Sequence, residues 1–157
     1  MAEAVTDSMP DRVLQLVRHY PHPRERVFAA WAHPQQLVKW WGPKGVHIPH
    51  YRIDVRADGE WETTMRNEDG GEFFVSGKFV EISPPARLVF TWAWSNDGVR
   101  GHETTVTVEF EAKDGGTELR LTQAPFESNE SRNLHNEGWT SSLQCLATHL
   151  LEDLNDG

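Results

Sequence analysis

Hydrophobic and polar positions follow a two-residue period through the middle of this chain and a helical period at three places outside it. Near the start, Val13, Leu14, Leu16 and Val17 form an apolar stretch too short for an ordinary helix. Its β-branched residues, followed by Pro21 and Pro23, predict a strand. Pro23 suits a first-turn position, after which Val27, Phe28 and Trp31 share one helical face. Pro34 restarts the pattern with Leu37, Trp40 and Trp41, and Gly42-Pro43 ends it, because proline disfavours a helical predecessor. From Leu134 the positions Trp139, Leu143, Leu146, Ala147, Leu150, Leu151 and Leu154 predict one long amphipathic helix, roughly 30 Å in length.

Between these helical segments lie six strand-like runs: 46–56, 60–66, 72–82, 88–94, 103–111 and 118–122. Asp58-Gly59, Asp69-Gly70-Gly71, Asp97-Gly98 and Asp114-Gly115-Gly116 separate them, and such pairs supply the positive φ that tight hairpins require. Ser83-Pro84-Pro85 is a corner at which a ladder cannot continue. Short connections between runs predict an antiparallel meander, so the fold class is α+β. One long helix cannot cover both faces of a flat sheet. The expected solution is a curved antiparallel sheet of six to seven strands wrapped around the C-terminal helix, with the two short helices after the first strand. Residues 11–155 would form this single domain and Met1–Pro10 a disordered tail. A wrapped sheet leaves room for a cavity of a few hundred Å3 between helix and concave face.

Composition narrows the functional classes. With 157 residues the chain has the size of one domain. A net charge of −9 argues against nucleic acid, which needs a basic footprint. Cys145 is the single cysteine, which excludes an internal disulfide and a thiolate-rich metal site. No apolar run reaches the length of a membrane span, and residues 1–10 lack the character of a signal peptide, so a cytoplasmic location is expected. No metal and no cofactor is expected. His47 and His50, three apart on a strand, point to opposite faces.

The string Arg24-Glu25-Arg26-Val27-Phe28-Ala29-Ala30-Trp31, then Pro34 and Trp40-Trp41-Gly42-Pro43, resembles the activator of heat-shock protein 90 ATPase homologue-like (AHSA-like) family. Gly59-Glu60-Trp61 with Met65, Gly77, Glu81-Ile82-Ser83-Pro84-Pro85, Arg87-Leu88-Val89-Phe90-Thr91-Trp92, Gly116-Thr117, His135 and Gly138-Trp139 follow in the family's order. His33 stands where the family often has an acidic residue, and Asp58 where a second glycine is common. The family belongs to the SRPBCC superfamily of START domains and birch-pollen allergens, so the resemblance implies a helix-grip fold with a hydrophobic cavity. Chaperone-activating members carry an additional N-terminal domain for which this chain has no room, which argues against chaperone activation here. Other branches of the superfamily are cyclases and aromatases, lipid carriers and hormone receptors, and fold alone does not choose among them.

The candidate cavity residues are Trp31, Trp41, Trp61, Met65, Trp92, Trp94, His135, Trp139 and Leu143. Trp61 and Met65 share a strand face, as do Trp92 and Trp94, and would give an aromatic and thioether lining or else ordinary core packing. Trp40-Trp41-Gly42-Pro43 would cap the pocket mouth or plug one end of the core. His135, one turn before Trp139, would orient a ligand, transfer protons, or satisfy a backbone carbonyl near the helix start. Gly138 lies mid-helix, for which close helix–sheet approach is the expected reason. The leading expectation is a non-enzymatic domain that binds a small hydrophobic or aromatic molecule. The alternatives are a cyclase- or aromatase-like enzyme using His135, and a chaperone cofactor, other protein-interaction module or homodimer.

Overall fold

The computed structural model describes residues 12–156, so the disordered tail expected over Met1–Pro10 lies outside the described residues. The elements in order are β1 (Leu14–Tyr20), α1 (Arg24–Ala32), α2 (Pro34–Trp40), β2 (His47–Ile53), β3 (Glu60–Arg66), β4 (Glu72–Ser83), β5 (Arg87–Asn96), β6 (Val99–Arg100), β7 (Thr104–Lys113), β8 (Gly116–Ala124) and α3 (Asn129–Asp156). All pairings are antiparallel, in the spatial order β1-β8-β7-β5-β4-β3-β2, with β6 beside β5. This is the helix-grip arrangement: a curved sheet holding one long helix.

The sheet has eight strands because the turn at Asp97-Gly98 adds a short one. Both turn residues have positive φ, 54° and 80°, which matches the twist of a two-residue hairpin and pairs Asn96 with Val99. Asp114-Gly115 repeats the same geometry and joins β7 to β8. Asp58, the departure from the family's glycine, sits at φ 65°, which aspartate tolerates better than most residues.

Strand alternation sets what faces inward. Trp61, Thr63 and Met65 on β3, Val106, Val108 and Phe110 on β7, and Thr117, Leu119, Leu121 and Gln123 on β8 are buried at every second position. Leu143, Leu146 and Leu150 of α3 close that face, each at 1% exposure or less. Burying a leucine of this kind contributes roughly 1.5–3 kcal/mol. The Tyr20 hydroxyl donates to the Leu143 carbonyl at 3.0 Å and fastens β1 to α3.

The helix begins at Asn129, five residues before the apolar pattern does. Ser128 caps it: its hydroxyl oxygen accepts from the Ser131 amide at 3.1 Å, and its carbonyl accepts from Arg132. At His33, before α2, no side chain caps the helix. Cys145 is half-buried against the core. Among the described residues no helix is long and apolar enough to cross a membrane.

Candidate functional site

Near the start of α3 a cavity of about 390 Å3 opens between the helix and the sheet. Three parts of the chain build it. The segment after α2 contributes Trp41, Gly42 and Pro43, turned inward by Gly42 at φ 91°, a conformation that favours glycine. The sheet contributes Met65 from β3 with Trp92 and Trp94 from β5. The helix contributes Leu134, His135, Gly138, Trp139 and Ser142, a stripe at three- and four-residue spacing. Leu134 remains 62% exposed, so this rim is apolar and open to solvent.

The indoles form one continuous wall. The Trp92 ring centroid lies 5.3 Å from Trp139, 5.6 Å from Trp41 and 5.5 Å from Trp94, all tilted or edge-to-face as aromatic quadrupoles prefer. Trp31 stacks behind Trp139 at 5.9 Å, and Trp61 packs behind Trp41 at 5.8 Å. These two rings back the wall with a second aromatic layer.

Most polar atoms of the wall are already engaged with protein. Trp41 Nε1 donates to Thr63 Oγ1 at 3.1 Å, and Trp139 Nε1 to Gln123 Oε1 at 2.7 Å. Gln123, fully buried, donates in turn to Thr104 Oγ1 at 2.8 Å. The Ser142 hydroxyl donates to the Trp40 carbonyl at 3.1 Å. Trp92 Nε1 is buried without a hydrogen-bond partner.

His135 is the one ionisable residue in the lining. Trp94 Nε1 donates to its Nε2 at 2.8 Å, and its Nδ1 lies 2.7 Å from the Ser131 carbonyl. An indole N–H can only donate and a carbonyl can only accept, so the bonds assign the neutral tautomer with the proton on Nδ1. Burial pushes the His135 pKa below the ordinary histidine value, while the Ser131 carbonyl pulls weakly the other way. The ring also packs on Phe126, centroids 4.8 Å apart.

Of the residues picked from sequence, the structure brings Trp41, Met65, Trp92, Trp94, His135 and Trp139 to this cavity. Trp31, Trp61 and Leu143 do not line this cavity: with Trp41, the two indoles border a void of about 10 Å3, Trp61 also edges a separate polar depression beside Gly77 and Thr91, and Leu143 is fully buried. Leu143 is displaced because the cavity stripe runs through Gly138, Trp139 and Ser142, one position off the most apolar one. Gly42 and Pro43 line the cavity beside Trp41. Leu134, Gly138 and Ser142 are additional lining residues; helical spacing from His135 marks Gly138 and Ser142, while Leu134 lies one turn before Gly138.

Gly138 corrects an expectation. It makes no close approach to the sheet: a Cβ built there would meet only Pro43 Cγ, at 3.9 Å, an ordinary contact. A mid-helix glycine nevertheless costs about 1 kcal/mol relative to alanine. The tight glycine is Gly77 on β4, where a Cβ would fall 1.8 Å from the Thr91 carbonyl and 2.7 Å from Trp61 Nε1. Its absence lets Trp61 Nε1 donate to that carbonyl at 3.2 Å. Among the described residues no three His, Cys, Asp or Glu side chains gather as they would to hold an ion.

Residues 21–151 match the family model described as activator of Hsp90 ATPase homolog 1-like protein. The chain belongs to the AHSA1 family. The crystal structure of an AHSA1 protein from Silicibacter pomeroyi is similar to it at 35% identity and a TM-score of 0.82, covering 90% of this chain and 99% of that one. A crystal structure of a Nitrosomonas europaea protein is similar at 27% identity and a TM-score of 0.80, covering 94% of this chain and 99% of the other. A Chromobacterium violaceum protein, 23% identical with a TM-score of 0.77 over 90% of this chain and 98% of its own, shares the fold. No curated protein matches the chain. Membership of the AHSA1 family places the chain in the SRPBCC superfamily, whose helix-grip domains are ligand-binding folds at the family level.

Proposed function

We propose that this AHSA1-family domain binds an uncharged, hydrophobic or aromatic small molecule in the cavity between α3 and the sheet, and that binding rather than catalysis is its activity. The observation that carries this reading is the chemistry of the wall. Four indoles and a thioether surround about 390 Å3 of space with no Asp, Glu, Lys or Arg among the lining residues. Such a site rewards apolar contact and offers no fixed charge to offset the desolvation of a charged ligand. Covering 300 Å² of apolar surface contributes roughly 7 kcal/mol before association costs, which sets a micromolar scale of affinity.

A proton-transfer role for His135 finds less support. Both its ring nitrogens are bonded within the protein, so a reacting group would have to displace Trp94 or Ser131 first. No second titratable group converges on the cavity to share acid and base roles.

Thermal-shift screening of neutral aromatic and aliphatic compounds, followed by calorimetry, tests the proposal. It predicts saturable stabilisation by some neutral aromatic members and none by their carboxylates. A library that produces no saturable shift, or one in which anions bind best, overturns it.

A further inference from the structure

We infer that Gly138 is the specificity-determining position of this cavity: it leaves the helix side of the cavity without a side chain, so that a flat fused-ring molecule can lie against bare helix backbone with the indole wall opposite. The inference rests on the binding function proposed above and names its ligand class, uncharged planar aromatics of about two to three fused rings.

The reasoning starts from a cost without a steric cause. Gly138 lies ten residues inside a 28-residue helix, where glycine is the least favourable residue apart from proline. It is within the ordinary right-handed helix, so no left-handed backbone demands it. Its surroundings would admit a methyl group, since the nearest heavy atom to an added Cβ is Pro43 Cγ at 3.9 Å. Elsewhere in the chain the glycines have reasons: Gly42 its positive φ, Gly77 its clash with Thr91, Gly116 a Cβ position 2.3 Å from the Tyr20 carbonyl. At Gly138 an added Cβ would meet only Pro43 Cγ, at ordinary contact distance, and the position borders the cavity.

The position is placed to control width. Gly138 lies between His135 and Ser142 on the lining stripe, with Trp139 beside it and Pro43 across from it. His135 is fixed by two hydrogen bonds and Ser142 by one, so neither moves aside to compensate for a larger residue. A side chain at 138 therefore removes volume next to the helix and leaves the far wall of Met65, Trp92 and Trp94 untouched. Narrow ligands would still reach that far wall. Fused rings would not fit beside it.

The test compares wild type, Gly138→Ala and Gly138→Leu for unfolding and for binding of two neutral probes, toluene and 2-acetylnaphthalene, by calorimetry. Gly138→Ala is expected to raise Tm by roughly 2–4 °C, which also guards against loss of fold. Affinity for 2-acetylnaphthalene is expected to fall a few-fold in the alanine variant and at least about tenfold in the leucine variant, with toluene within twofold throughout. Unchanged naphthalene affinity in both variants overturns the inference alone, as does an equal loss for both probes. If wild type binds neither probe nor any other neutral aromatic, the binding function itself fails and the inference with it.

Discussion

Trp94 Nε1 donates to His135 Nε2 at 2.8 Å and thereby ties β5 to α3 across the cavity. The bond exists only while His135 is neutral, because a protonated Nε2 would set two donors face to face. Its second ring nitrogen is held by Ser131, so the imidazole is locked in one tautomer. Nitrogen-detected NMR of the histidine ring should report protonated Nδ1 and bare Nε2 at pH 7.5. Replacement of His135 by phenylalanine removes the acceptor and should destabilise the fold by about 1–3 kcal/mol in urea unfolding.

The burial of the same histidine makes stability depend on pH. His135 has a folded pKa below its unfolded value, first through burial, and His22, in the bend between β1 and α1, shifts the same way, through burial and then the Arg26 charge. The unfolded chain therefore binds more protons at mildly acidic pH, and stability must fall as pH drops. The contribution is full above the ordinary histidine value of about 6.5 and is lost between that value and the lowered folded pKa. Urea midpoints measured from pH 8 to 5 should decline through this window, with a shallower slope in His135→Phe. A flat profile would contradict the assignment.

Gln123 makes a sharper stability prediction. It is fully buried and relays Trp139 to Thr104, at 2.7 Å and 2.8 Å. Gln123→Leu keeps the volume but leaves the Trp139 N–H and the Thr104 hydroxyl without their shared partner. A loss of about 2–4 kcal/mol is expected, and the double variant with Thr104→Val should recover part of it.

Gly77→Ala should be among the most damaging single changes. Its Cβ would sit 1.8 Å from the Thr91 carbonyl, so β4 and β5 would have to separate locally. A loss above about 3 kcal/mol, or failure to fold, is expected. By contrast Gly70, with nothing within 4 Å of an added Cβ, is constrained only by its positive φ and should lose about 1 kcal/mol as alanine.

The elements were legible because each signal was local. Alternation on β3 located Trp61 and Met65, and its ends coincide with the run 60–66. Asp-Gly pairs located the hairpins through the φ they permit. The first turn of α3 was not legible, since Asn129–Asn133 carries no apolar residue and the Ser128 cap had no periodic neighbour to mark it. Within the site, tryptophan on an inward face was necessary but not sufficient. Trp31 and Trp92 look alike in sequence, yet α1 carries Trp31 behind Trp139 while β5 places Trp92 at the cavity. Which layer a buried indole occupies depends on three-dimensional packing that no period encodes. Ser142 and Gly138 were missed for the opposite reason: a cavity needs small residues, and these carry no hydrophobic signal.

The most direct measurement is an NMR titration of the seven indole Nε1–H resonances with 2-acetylnaphthalene. Binding in the cavity predicts saturable shifts, at micromolar to submillimolar affinity, largest for Trp41, Trp92, Trp94 and Trp139, with Trp31, Trp40 and Trp61 changing least. Shifts that never saturate, or that centre on Trp31, Trp40 and Trp61 instead, would contradict a ligand held between α3 and the sheet.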